Sequence, residues 1–97
     1  MAGNKIAAYL GFARRAGKLT LGVNAACCAR GVRLLVADLS ASENTKKEIE
    51  KLARKFSCPV VWTEGLEELT GKASCKLAAL REEHLARAIL ESSGKAE

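Results

Sequence analysis

Short apolar runs at Leu19–Leu21 and at residues 32–37, 60–62 and 76–80 alternate along this chain with stretches whose apolar residues recur at helical spacing. Strands separated by helix-length segments need crossover connections, and the helices in those crossovers cover the faces of the sheet. The alternation therefore predicts an α/β fold, a three-layer α/β/α sandwich with a small mixed sheet. At 97 residues the chain has room for one core and not for two, so residues 1–97 read as a single domain.

The opening helix carries Ile6, Tyr9, Leu10 and Ala13 on one face, and Gly17 is positioned to end it through a positive φ. A strand at Leu19–Leu21 and a short helix over residues 24–30, closed by Gly31, follow. Beyond the strand at 32–37, Ser40 with Glu43 and Thr45 with Glu48 stand at capping-box spacing. They precede a helix that turns Ile49, Leu52, Ala53 and Phe56 inward and leaves a lysine-rich outer face. Pro59 opens the run ending in Trp62, a residue expected in the core rather than as a stacking platform. Thr63 is expected to cap a short helix containing Glu67, Glu68 and Leu69, which Gly71 closes. The last helix, residues 82–92, aligns Leu85, Ala88 and Ile89, and the polar tail at 93–97 is expected to fray.

Sixteen Lys and Arg against eleven Asp and Glu give a net charge of +5. This surplus suits a polyanionic partner, and it equally suits a basic protein with solvated lysines. No apolar run approaches membrane-spanning length and no secretory signal opens the sequence, so a cytoplasmic protein is expected. The four cysteines, Cys27, Cys28, Cys58 and Cys75, form no Cys-x-x-Cys pair and read as buried free thiols, with no metal or cofactor expected. His84, the only histidine, sits between Glu83 and Leu85 at a helix start with no nucleophile at a recognisable spacing. The sequence contains no P-loop or Gly-x-Gly-x-x-Gly, and the neighbouring Glu pairs at 67–68 and 82–83 diverge on their helices rather than forming an acid and base couple. An enzyme is not expected. With two Phe, one Trp and one Tyr, an aromatic-rich single-strand reader is not expected either.

The most informative segment chemically runs Leu-Gly-Phe-Ala-Arg-Arg-Ala-Gly-Lys-Leu-Thr-Leu-Gly-Val-Asn-Ala from Leu10 to Ala25. Arg14, Arg15 and Lys18 gather at a helix end, and Gly22 and Asn24 precede a second helix. Asn24 can either cap that helix or offer its own amide to a base edge. Exposed amides at a helix start also suit an anion.

That run, with Leu34-Leu35-Val36-Ala37-Asp38, the block Ser42-Glu43-Asn44-Thr45-Lys46-Lys47 and Cys58-Pro59-Val60, resembles the bacterial YlxQ/YbxF type of the ribosomal protein L-seven-Ae/L-thirty-e family. The resemblance implies an α/β/α sandwich that binds structured RNA, typically at kink-turns, the sharply bent internal loops closed by sheared G·A pairs. It implies no catalytic activity. The family's Gly-x-Asn-Glu-x-x-Lys pattern is met here by Gly22 and Asn24, while Ala25 and Cys28 stand where it has Glu and Lys. Ala25 cannot accept from a guanine edge and Cys28 cannot make a charged phosphate contact. Arg30 or Arg33 is a candidate to replace the missing charge, and the short spacing from Gly22 to Asp38 implies a truncated second helix or a shifted register. The resemblance also implies a second contact from the loop at about residues 69–76, through Gly71, Lys72, Ser74 and Lys76, with Arg14, Arg15 and Lys18 as backbone contacts beside the Asn24 turn. A monomeric RNA-binding protein, with a kink-turn or a ribosomal RNA as its partner, is the resulting expectation. The alternative is a protein-interaction or regulatory module of the same fold, which exposed apolar residues at Val23, Ala26 and Cys27 would favour.

Overall fold

The computed structural model describes residues 2–71 and 75–94, and side chains at 8–71 and 75–91. The expected inward position of Ile6, the contacts expected of Lys72 and Ser74, and most of the polar tail lie outside the described residues. The order is α1 (Ala2–Arg15), β1 (Leu19–Leu21), α2 (Val23–Cys27), β2 (Leu34–Asp38), α3 (Glu43–Phe56), β3 (Val60–Thr63), α4 (Leu66–Thr70), β4 (Leu77–Leu80) and α5 (Glu83–Gly94).

The four strands form one mixed sheet in the order β1-β4-β2-β3. β4 runs antiparallel to both β1 and β2, and β2 pairs with β3 in parallel across the α3 crossover. The two central strands are wholly buried, as a sheet covered on both faces demands. Alternation along them divides the core. Leu34, Val36, Ala78 and Leu80 point toward Leu10 and Ala13 of α1, Leu66 before α4's second turn, and Ala86 and Ile89 of α5. Leu35, Ala37, Leu77 and Ala79 point toward Ala26 of α2 and Ile49 and Leu52 of α3. The register Leu35↔Ala79 and Val36↔Ala78 keeps each apolar set on its own side. The three-layer α/β/α sandwich is thus observed, with α1, α4 and α5 on one face and α2 and α3 on the other.

Several local expectations are corrected. α2 spans five residues rather than the run 24–30, because only Ala26 faces the sheet and the chain must then turn back to enter β2. Its N-cap is Gly22, so Asn24 lies inside the first turn and caps nothing. Ser42, not Ser40 or Thr45, caps α3, accepting from the Thr45 N–H at 3.2 Å. Thr63 does not cap α4; Gly65 holds that position in a left-handed conformation. In α5, Ala86 rather than Ala88 is fully buried beside Ile89. Trp62 is half-buried, since β3 is an edge strand and one side of the ring stays open while the other packs on the α3 side of the core. Among the four cysteines only Cys75 is buried; Cys58 is half-buried, and Cys27 and Cys28 are exposed at the outer end of the short α2. Among the described residues no helix is long and apolar enough to cross a membrane.

Candidate nucleic-acid interface

The end of the sheet where β1 finishes and β4 begins gathers part of the expected site. Gly22 leaves β1 with φ 95° and ψ 150°, a combination that only glycine adopts readily. Its N–H donates to the Leu77 carbonyl at 2.8 Å, and its carbonyl accepts from the Ala26 N–H at 3.0 Å. One residue thus ties the start of α2 to the start of β4, directly after the loop that follows Gly71. Asn24 stands exposed on the first turn of α2. Its side-chain amide makes no hydrogen bond to any described residue, so both its donor and its acceptor remain open to a ligand.

Lys76 borders the same end, but its ammonium is engaged. Nζ donates to the Ser40 hydroxyl at 2.7 Å. Ser40 in turn directs its N–H at 2.8 Å and its hydroxyl at 2.7 Å to Oδ1 of Asp38, while the Leu66 N–H donates to Oδ2 at 3.0 Å. Burial of Asp38 works to raise its pKa; the hydrogen bonds from Ser40 and Leu66 and the charge of Lys76 outweigh that and hold it below the usual carboxylate value. An open groove of about 640 Å³ lies alongside, bordered by Asp38, Glu64, Glu67 and Glu68 as well as Lys76 and the exposed Leu39. Its carboxylates make the α4 flank unfavourable to phosphate, which leaves the α2 flank as the approach for a polyanion.

The remaining expected contacts divide. The Arg14 Nη1 donates to the Thr70 carbonyl at 2.5 Å and lies 3.3 Å from where a Cβ on Gly71 would stand. Arg14 and Gly71 are therefore neighbours at the C-terminal end of α4, with Gly71 at φ 76° closing that helix. Arg15 stacks its guanidinium 5.6 Å from the centre of the Phe12 ring. Lys18 does not join the Asn24 turn. Its carbonyl accepts from the Arg81 N–H at 2.8 Å, at the opposite end of β1, about 13 Å from Gly22 at 3.3 Å per strand residue.

Arg33 stands at the same end of the sheet as Lys18: its N–H donates to the Leu80 carbonyl at 2.7 Å. A different cation reaches α2. Lys55 of α3 donates from Nζ to the Cys27 carbonyl at 3.0 Å, supporting the last turn of the helix and setting a positive charge beside Cys28. The lysine-rich face of α3 was visible in the sequence, but nothing there could say that α2 packs within reach of position 55.

His84 is 93% exposed, with Nδ1 2.9 Å from Oε2 of Glu82. Glu82 precedes α5 and accepts from the Leu85 N–H at 2.7 Å and the His84 N–H at 3.1 Å, so this pair serves a helix start. Among the described residues no group of three or more His, Cys, Asp or Glu side chains could hold a metal ion.

No protein-family model matches this chain, and no curated protein shows significant similarity to it. Among solved structures, a protein of unknown function from Bacillus halodurans is similar over 92% of this chain and 96% of its own, with a TM-score of 0.77 and 22% identity. At that identity the likeness speaks for the fold alone.

Proposed function

We propose that this chain is a small, monomeric, cytoplasmic protein that binds structured RNA, with the kink-turn as its RNA class and no catalytic role. The observation that carries the reading is the Gly22 N–H to Leu77 carbonyl bond. It joins the start of α2 to the start of β4, so a single RNA loop can meet both the Asn24 turn and the residues that lead into β4 from Cys75. This is the pairing of contacts that the resemblance to the L-seven-Ae/L-thirty-e family implies. Asn24 offers a free amide to a base edge. Lys55 beside Cys28 contributes positive charge close to where the family pattern has Lys. On the other side, Val23 is half-buried, Ala26 buried and Cys27 exposed, so of the apolar patch that a protein-docking reading of this turn requires only Cys27 stands fully open.

The test is a titration of the purified protein against a kink-turn RNA and against a control whose sheared G·A pairs are replaced by Watson-Crick pairs, at two salt concentrations. Selective binding to the kink-turn, lost in Asn24→Ala, is the expected result. Equal weak binding of both RNAs would reduce this end of the molecule to a nonspecific surface.

A further inference from the structure

We infer a second RNA-backbone contact at the opposite end of the sheet, formed by Lys18, Arg33 and Arg81; it rests on the RNA-binding reading above. The three residues end neighbouring strands in one row. The Arg81 N–H donates to the Lys18 carbonyl, and the Arg33 N–H donates to the Leu80 carbonyl. With adjacent strands about 4.8 Å apart, the row is about 10 Å across.

The row has the properties that a phosphate surface needs. Lys18 and Arg33 are exposed, and neither side chain makes a hydrogen bond or ion pair with any described residue. Arg14, Lys55 and Lys76, by contrast, are already committed to the Thr70 carbonyl, the Cys27 carbonyl and the Ser40 hydroxyl. Arg81 is held in place by Nη2, which donates to the Gly17 carbonyl at 2.7 Å. The acidic neighbours are occupied: Glu82 accepts the backbone N–H groups at the start of α5, and Glu83 pairs with Arg87 at 3.3 Å. The carboxylate-lined groove lies at the Lys76 end, and two exposed cations without a partner among the described residues, Lys18 and Arg33, lie at the other. A protein at this position would need apolar contact as well, whereas the row offers cations alone, so the partner it fits is the sugar-phosphate backbone of the RNA held at the Asn24 turn.

The experiment compares the unmodified protein, Lys18→Gln/Arg33→Gln and Asn24→Ala on the kink-turn RNA and on its Watson-Crick control, each across a salt series. The double variant is expected to bind both RNAs at least about tenfold more weakly at 0.1 M salt, and to lower the slope of log K against log salt by about 1.8. Its preference for the kink-turn is expected to stay as it was. Asn24→Ala is expected to do the reverse, losing the preference and keeping the slope. An unchanged slope and affinity for the double variant on both RNAs would overturn the second contact. If the unmodified protein binds both RNAs equally, the kink-turn reading fails, and the slope on the control duplex still decides the row. No binding of either RNA at the lowest salt overturns both. Because the two substituted side chains have no partners among the described residues, a melting curve matching the unmodified protein's is expected. Lys18→Glu/Arg33→Glu supplies a second variant, with a larger loss on both RNAs.

Discussion

The carboxylate of Asp38 accepts the backbone N–H of Leu66 at 3.0 Å from 28 residues away, and so does the capping that no side chain of α4's own leader performs. Asp38 closes β2 and is 4% exposed, while Leu66 opens α4 and is buried against the α1 side of the core. The same carboxylate holds the Ser40 turn, and through Ser40 it meets Lys76. The end of the sheet is thus built around one buried charge.

Removing that charge is expected to be costly. Asp38→Ala leaves the buried Leu66 N–H, and the more exposed N–H and hydroxyl of Ser40, without their acceptor, and a loss of about 2 to 3 kcal/mol follows, chiefly from the one buried donor left unpaired. For a domain of this size that corresponds to a fall in Tm of roughly 10 °C or more. Asp38→Asn keeps the shape but must turn an NH2 toward at least one donor, so it is expected to lose stability too. Chemical denaturation of both variants checks this; a change within 0.5 kcal/mol, the ordinary range of a surface substitution, would contradict the role given to Asp38.

The same group sets an acid limb. Its folded-state pKa lies below the unfolded value of 3.8, so the unfolded chain takes up the proton first as pH falls. The stabilisation is therefore fully present above the unfolded value and is lost progressively as pH drops below about 4 toward the folded pKa. Glu82 acts in the same direction, its pKa lowered by the Leu85 N–H, the His84 ring and the His84 N–H. Stability measured from pH 6 down to pH 2.5 should decline in the lower part of that window, and Asp38→Asn should decline less steeply there despite starting lower. Parallel curves for the two proteins would show that Asp38 does not titrate differently on folding.

The thiols sort by position. Cys27 and Cys28 are exposed, Cys58 is half-buried with a pKa raised by burial, and Cys75 is buried with its Sγ 3.4 Å from the Leu77 carbonyl. A disulfide reagent should label two thiols rapidly and a third more slowly, because its thiolate is scarcer. The fourth should react only under denaturing conditions. Peptide mapping of the fast fraction identifies the sites, and early labelling of Cys75 would place it outside the core.

Much of this architecture was legible because burial imposes a period. Alternation in residues 34–37 and 77–80 divides the sheet's faces, and Ile49 and Leu52 sit on α3 as their spacing requires. What could not be read was which distant group meets which. Ser40, Ser42 and Thr45 all carry capping hydroxyls, and the choice fell to Ser42 because Ser40 is taken by Asp38. Thr63 lost the cap of α4 to a carboxylate from another strand. At the candidate site, the place of Gly22 and Asn24 at the start of a second helix was legible from local chemistry. The distribution of cations was not: Lys18 and Arg33 are drawn to Arg81 by strand register, and Lys55 reaches α2 by the packing of two helices.

Gly22 offers the sharpest link between backbone geometry and the proposed recognition. At φ 95° and ψ 150° a side chain is strained, and Gly22→Ala is expected to cost about 1 to 3 kcal/mol. The backbone can relieve the strain only by rotating residue 22, which draws its N–H away from the Leu77 carbonyl and frees the start of α2 from β4. Amide exchange at position 22 should accelerate, while the amide of Arg33, bonded to Leu80 at the other end of β4, should be slowed or hastened only as global stability dictates. Kink-turn preference should fall with it, since the Asn24 turn would no longer be held to the start of β4, and salt-dependent binding through Lys18 and Arg33 should persist. Normal exchange at position 22 in a variant of unchanged stability would mean that this backbone bond does not hold the turn. An RNA preference that survives its measured loss would mean that recognition does not depend on joining α2 to β4.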